Sequence, residues 1–225
     1  MGTMTYRVSE IFRSIQGEGP SVGRDSIFVR FTGCSLACSF CDEARTSKQG
    51  TEMSVEQIVF KIEVLAEHNE TVSVVLTGGE PLLQIDFTLL RALNVLNLRL
   101  CLETNGAQVT QDAMPLRNLG ELSGFFSEIV VSPKDAKPSV DLLKFATGIK
   151  MLVREDGTLV GEYWMASIFS AARARDYVLQ PITCRQHRFI EKQSSAAMKV
   201  ARRLSLDHKI PWRVIPQTHI WMGLK

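Results

Sequence analysis

The chain has 225 residues, of which 45% are hydrophobic, which is enough for one substantial core but short for two independent domains. We therefore expect a single domain over residues 1–225. The 26 basic and 24 acidic residues give a net charge of +2, which offers no electrostatic basis for binding nucleic acid or an anionic membrane. A small-molecule ligand is the expected partner.

The sequence carries no predicted membrane or export segment. No stretch approaches the roughly 20 apolar residues of a transmembrane helix, and the N-terminus lacks the features of a secretory signal. Residues 1–3 precede a second methionine, Met4, and are expected to be left over from cloning. Five unevenly spaced cysteines are too few for a disulfide framework, and a reducing cytosol keeps thiols available for metal. We expect a cytoplasmic protein.

The predicted elements begin with two apolar segments, residues 8–15 and 26–31, on either side of a glycine-rich loop at 16–24. Ser54 is a good N-cap for a helix with apolar residues at helical spacing through Leu65. Strands are then expected at residues 73–77, 98–103, 128–131, 149–153, 177–179 and 212–214, and helices at 85–96, 140–145, 164–173 and 195–206. Residues 106–124 predict an irregular connection with a short helix. Alternating strands and helices indicate parallel βα units, whose ligands bind at the carboxyl ends of the strands.

Three cysteines, Cys34, Cys38 and Cys41, lie directly after a predicted strand in the spacing C-x3-C-x2-C. Thiolates are the soft ligands that iron-sulfur clusters require. Three ligands for four irons leave one iron open to bind another molecule. Two alternatives stay open, namely thiols clustered by chance and a zinc site, although zinc needs a fourth ligand that the remaining spacing does not offer. Cys101 and Cys184 are expected to be unligated thiols.

The segment C-S-L-A-C-S-F-C resembles the radical S-adenosylmethionine signature, in which an aromatic residue, here Phe40, precedes the last cysteine. In that superfamily the open iron binds S-adenosylmethionine, and one-electron reduction yields a 5'-deoxyadenosyl radical. Thr77 to Pro81, with the sequence T-G-G-E-P, match the superfamily's glycine-rich motif. By itself, this motif is equally typical of a tight turn after a strand.

Over essentially the whole chain, the sequence resembles the 7-carboxy-7-deazaguanine synthase family. The resemblance rests on the segments E-I-F-R-S-I-Q-G-E-G-P, F-V-R-F-T-G-C, L-E-T-N-G, S-P-K, L-Q-P and P-Q-T-H-I-W, in that order. It implies an incomplete TIM-like parallel βα barrel with about six strands and fewer helices, and a homodimer. It also implies conversion of 6-carboxy-5,6,7,8-tetrahydropterin to 7-carboxy-7-deazaguanine, with an electron donor such as flavodoxin or ferredoxin.

The resemblance assigns residues to the pterin substrate. Arg30 is a charged residue in an apolar strand and would bind the substrate carboxylate through its planar fork, unless it lies on an exposed face. Glu18 would accept hydrogen bonds from the aminopyrimidine edge, unless it is a solvated loop residue. His219 would lie near the pocket, or else in an exposed tail. The substrate set is completed by Gln16, Gly17, Thr77 and Lys225.

The resemblance also assigns residues to the cofactors. The expected S-adenosylmethionine contacts are Phe40, Asp42, Gly79, Glu80, Ser132, Lys134 and Gln180. One position departs from the family: a threonine or serine that helps to bind Mg²⁺ is replaced by Glu43. A carboxylate is also a hard oxygen ligand, so Glu43 is the candidate Mg²⁺ ligand of this chain.

Two other functions share parts of this pattern. A radical activase that modifies a protein partner has the same cysteine motif, but it leaves the Q-G-E-G and Q-T-H segments unexplained. A non-catalytic iron-sulfur module would need only the cysteines.

Overall fold

The computed structural model describes residues 4–42, 49–68, 71–107, 119–182 and 190–224. Contacts within the chain divide it into two compact units. The first unit contains residues 1–14, 24–104 and 108–129, and the second contains residues 15–23, 105–107 and 130–225. The single domain expected from the length stays a prediction.

The described residues of the first unit form five strands in the order β3-β1-β2-β4-β5. Their bounds are β1 (Thr5–Ile15), β2 (Asp25–Phe31), β3 (Thr51–Ser54), β4 (Ser73–Gly78) and β5 (Arg99–Thr104). β2, β4 and β5 are parallel, with Arg30 opposite Thr77, whereas β3 pairs antiparallel with β1. The carboxyl ends of β2, β4 and β5 therefore lie side by side, and the cysteine segment and the glycine motif follow the first two.

The first unit contains α1 (Val55–Ala66), α2 (Phe87–Asn94) and α3 (Leu119–Gly124). Ser54 caps α1 as predicted, and Gln57 completes the capping box by accepting from the Ser54 N–H. α2 begins two residues later than expected because Asp86 accepts from Leu89 N–H at its N-terminus. The short strand β3 was not predicted, because four residues with one buried side chain carry little alternating pattern.

Among the described residues, four parallel strands follow in the order β6-β7-β8-β9, and all of them except the first two residues of β6 belong to the second unit. Their bounds are β6 (Glu128–Val131), β7 (Gly148–Val153), β8 (Asp176–Pro181) and β9 (Trp212–Val214), and the helices are α4 (Val140–Leu143), α5 (Met165–Ala171), α6 (Ile190–His208) and α7 (Thr218–Trp221). All six residues of β7 are buried, which fits a strand covered on both faces. No helix in the part of the chain described here is long and apolar enough to cross a membrane.

Candidate active site

The three cysteines lie on the loop after β2, in the first unit. Cys34 and Cys41 are exposed and Cys38 is half-buried. Cys34 Sγ accepts a hydrogen bond from Leu36 N–H (3.4 Å), and Cys41 N–H donates to Cys38 O (3.2 Å). Accessible thiols, one of which already accepts an amide hydrogen bond, are the donor set that an iron-sulfur cluster uses. The type of donor therefore suits a cluster, although the described residues contain no group of three such side chains close enough together to hold a metal ion, so binding of the cluster by these cysteines stays a prediction.

The glycine motif after β4 is bound directly to the start of this loop. Gly79 N–H donates to Phe31 O (3.0 Å), and Glu80 N–H donates to Gly33 O (2.8 Å). A Cβ atom added to Gly79 would overlap the Gly33 carbonyl oxygen. Only glycine allows the two backbones to approach this closely, so the motif is more than an isolated turn.

Glu80 is 1% exposed, and its carboxylate stabilises this turn from within. Its Oε1 accepts from Thr104 Oγ1 (2.7 Å) and from Leu82 N–H (3.0 Å). These bonds join the end of β4 to the end of β5. The predicted contact of Glu80 with S-adenosylmethionine stays a prediction.

Arg30 is not on an exposed face. Its side chain is 16% exposed, and its Nε lies 3.0 Å from Oε1 of Glu10 on β1. The guanidinium also stacks over the ring of Phe12, at 5.6 Å from the centroid. A guanidinium carries five N–H donors, so an ion pair with one carboxylate does not prevent the binding of a second. On the neighbouring strands, Thr77 Oγ1 donates to Glu103 Oε2 (3.0 Å).

In the second unit, Glu18 is held from two sides and is not a solvated loop residue. Lys150 Nζ lies 2.5 Å from Glu18 Oε2, and Gln217 Nε2 donates to Glu18 Oε1 (2.6 Å). The Gln16 side chain accepts from Glu18 N–H (3.1 Å). Burial by itself raises the pKa of Glu18, but the Lys150 charge and the two hydrogen bonds outweigh burial and lower that pKa below its usual range. Glu18 is therefore an ionised acceptor.

The chain segment after β9 packs against Gly17. Thr218 donates to Gly17 O through its N–H (2.9 Å) and through its hydroxyl (3.1 Å). A Cβ on Gly17 would overlap the ring of His219. The structure therefore brings together four predicted substrate residues of the second unit: Gln16, Gly17, Glu18 and His219.

Three predicted cofactor residues of the second unit lie near strand ends. Lys134 Nζ donates to the Ser132 hydroxyl (2.6 Å) and to its carbonyl oxygen (2.9 Å), after β6. Gln180, in β8, is 3% exposed, and its Oε1 has no hydrogen-bond partner among the described residues. A buried acceptor of this kind fits a residue that receives a bond from a bound molecule.

The remaining predicted residues are described by their exposure alone or lie outside the described part of the chain. Phe40 is half-buried and Asp42 is exposed at the end of the cysteine loop. Glu43, Cys184 and Lys225 lie outside the described residues. Cys101 is buried in β5, as expected for an unligated thiol, and burial raises its pKa to about 12.

Lys150, Gln217 and Glu10 were not predicted as site residues. Lys150 is a charged residue in the apolar segment G-I-K-M-L-V, which is the same signal that singled out Arg30. Gln217 lies in P-Q-T-H-I-W, but its contact with Glu18 joins residues 199 positions apart. Glu10 gave no signal, because a glutamate is typically solvated.

Comparison with known proteins matches residues 28–153 to the radical SAM superfamily. The chain is 38% identical to 7-carboxy-7-deazaguanine synthase from Bradyrhizobium diazoefficiens, over 99% of the chain and 100% of that protein. It is 37% identical to the enzyme of the same name from Methanospirillum hungatei, over 97% and 86% of the two chains. The crystal structure of QueE from Escherichia coli has a similar fold, with a TM-score of 0.66 over 95% of this chain and 94% of that one, at 22% identity. The expected incomplete TIM-like βα barrel is confirmed.

Proposed function

Because the chain belongs to the 7-carboxy-7-deazaguanine synthase family of radical S-adenosylmethionine enzymes, we propose that it converts 6-carboxy-5,6,7,8-tetrahydropterin to 7-carboxy-7-deazaguanine. The conversion contracts a ring and releases ammonia, with no net oxidation or reduction of the substrate. The observation that carries the proposal is the direct backbone contact between the three-cysteine loop and the Gly78-Gly79-Glu80 turn.

We assign the cofactors to two groups of residues. Cys34, Cys38 and Cys41 hold a [4Fe-4S] cluster, which with S-adenosylmethionine supplies a 5'-deoxyadenosyl radical. The loop carrying these cysteines is fixed by Gly33 and Gly79, so the glycine turn orients whatever binds beside it. The remaining S-adenosylmethionine contacts are proposed at Phe40, Asp42, Glu80, Ser132, Lys134 and Gln180.

The substrate is bound by a cation and an anion with separate roles. Arg30 binds the pterin carboxylate, since its fork matches the two carboxylate oxygens. Glu18, as an ionised acceptor, binds N–H donors of the aminopyrimidine edge. Gln16, Gly17, Thr77, His219 and Lys225 complete the proposed substrate set.

Further features belong to the same proposal. Glu43 is a proposed ligand for Mg²⁺, and identical magnesium dependence of turnover in wild type and Glu43→Thr would remove that assignment. A homodimer is the proposed assembly, and flavodoxin or ferredoxin is the proposed electron donor. We place the enzyme in the cytoplasm, where a reducing environment keeps the cysteines as thiols.

Anaerobic reconstitution with iron and sulfide, followed by two assays, tests the proposal. Formation of 5'-deoxyadenosine separates an enzyme from a non-catalytic module. Formation of the deazaguanine chromophore from carboxytetrahydropterin separates the proposed synthase from a radical activase. Reconstituted protein that makes 5'-deoxyadenosine but leaves the pterin unchanged would contradict the proposed substrate.

A further inference from the structure

Lys150 occupies an unusual position for a lysine. It lies in the interior of β7, a strand with every residue buried, and its side chain is 9% exposed. Removing an ammonium group from water is costly unless it gains a charged partner with good geometry. Glu18, with a side chain 17% exposed, is that partner at 2.5 Å.

The donors around Glu18 fix the plane of its carboxylate. Lys150 approaches Oε2 from strand β7, and Gln217 approaches Oε1 from the segment after β9. An ionised carboxylate has about four lone-pair sites, so each oxygen retains room for another N–H donor. The two protein donors thus restrict the directions from which a ligand is bound.

We propose that Lys150 is a positioning residue for the substrate, which acts by holding Glu18 as an oriented carboxylate that only accepts hydrogen bonds. This inference rests on the proposed function. An acceptor-only group binds the N–H donors of an aminopyrimidine and rejects a ring that presents carbonyl oxygens there. A protonated Glu18 would lose this selectivity, because its O–H would meet the substrate's N–H groups.

The pKa of Glu18 supports the same role. The charged groups that shift it are Lys150 and, to a lesser extent, His219, and both favour the ionised form against burial. Without Lys150, burial dominates and the pKa of Glu18 rises. The substrate affinity of a variant without Lys150 should therefore depend on pH in a way that the wild type does not.

Lys150→Met tests this inference, because methionine keeps much of the side-chain volume and removes the charge. At pH 6 we expect KM for carboxytetrahydropterin to rise about tenfold or more, which corresponds to about 1.4 kcal/mol. That rise should shrink as pH increases and Glu18 ionises. Iron content and S-adenosylmethionine affinity should be unchanged. Lys192→Met is the matched control, since Lys192 also pairs with a glutamate, Glu155 at 2.7 Å, but is 69% exposed.

A substrate-free measurement tests the pair itself in the reconstituted protein. Glu18→Gln should lower the melting temperature in the wild-type background at pH 7.5, because it removes the carboxylate that pairs with the buried Lys150 ammonium. In the Lys150→Met background the same change should be neutral or stabilising, because it removes an uncompensated buried carboxylate. Equal destabilisation in both backgrounds would show that Lys150 does not hold Glu18 ionised.

The outcomes separate the inference from the proposed function. A wild-type enzyme that does not turn over the pterin overturns both. Suppose instead that the wild-type enzyme turns over the pterin, but the KM of Lys150→Met divided by the wild-type KM is constant with pH. This result overturns only the positioning role of Lys150.

Discussion

Gly17→Ala is expected to displace the segment after β9 from Gly17 and to weaken substrate binding. An alanine Cβ would lie 2.6 Å from both Cβ and Cγ of His219, with the ring nitrogen Nδ1 closer still. Because Gly17 is buried, the added methyl group has no room unless His219 moves. Movement of His219 also strains the two bonds from Thr218 to Gly17 O and the bond from Gln217 to Glu18.

The magnitude follows from these contacts. Overpacking by one methyl group typically costs about 1 to 3 kcal/mol, and each neutral hydrogen bond contributes about 1 kcal/mol. Relaxation relieves the overlap at the expense of the bonds, so the two costs are alternatives and do not add. If the packed arrangement of His219 against residue 17 is destabilised by about 2 kcal/mol, KM for the pterin should rise about thirtyfold.

Steady-state kinetics with carboxytetrahydropterin, together with limited proteolysis of the C-terminal segment, measure this effect. Gly17→Ala should raise KM and accelerate cleavage after residue 217, while iron content stays at the wild-type value. Gly124→Ala is the matched control, because a Cβ there meets no atom within 4 Å. Wild-type KM and wild-type proteolysis in Gly17→Ala would refute the packing of His219 against Gly17 as a determinant of binding.

Three further predictions concern the first unit. Cys38→Ala should abolish cluster binding and activity, since the loss of one of three thiolates leaves the cluster under-ligated. Four irons per chain and product formation in this variant would contradict the ligand assignment. Arg30→Lys should weaken pterin binding by about 1 to 3 kcal/mol and retain the affinity for S-adenosylmethionine, because lysine cannot reproduce the bidentate fork of arginine. Equal pterin affinity in both proteins would remove Arg30 from the carboxylate site. In the apoprotein at pH 8, iodoacetamide should alkylate Cys34 but not Cys101, because Cys101 is 4% exposed and its pKa is raised to about 12. Peptide mass spectrometry measures the labelling of both cysteines. Comparable labelling would show that the core opens around Cys101.

The sequence was sufficient for most of the strands and helices and for the residues of the two motifs, but β3 and α7 were not predicted. The alternation of apolar segments predicted the parallel βα pattern, and Ser54 predicted the start of α1, because both are local signals. The close approach of Gly79 to Gly33 could not be predicted from local sequence signals. It depends on the pairing of β2 with β4, which brings together segments that are more than 40 residues apart.

The ion-pair partners of the buried cations could also not be predicted from the sequence. Arg30 and Lys150 both stand out as cations in apolar strands, yet nothing local identifies Glu10 and Glu18 as the groups they contact. The Gln217 contact with Glu18 joins residues 199 positions apart, which no local pattern predicts. The expected contact of Glu80 with the cofactor stays a prediction, and the hydrogen bonds that its carboxylate accepts from Thr104 and Leu82 were not suggested by the motif.

The most direct test of the central claim follows hydrogen from the substrate into the cofactor product. Carboxytetrahydropterin deuterated at the carbons of its reduced ring is supplied to the reconstituted enzyme with S-adenosylmethionine and a reductant, under anaerobic conditions. Because the conversion is redox-neutral, a hydrogen atom removed from the pterin has to be replaced before product is released, and the 5' carbon of the cofactor is the expected source. The proposed function therefore predicts deuterium at the 5' carbon of recovered S-adenosylmethionine and 5'-deoxyadenosine, together with 7-carboxy-7-deazaguanine and ammonia. Absence of deuterium from both cofactor compounds, or no formation of the deazaguanine, would contradict the claim that this chain acts on the pterin.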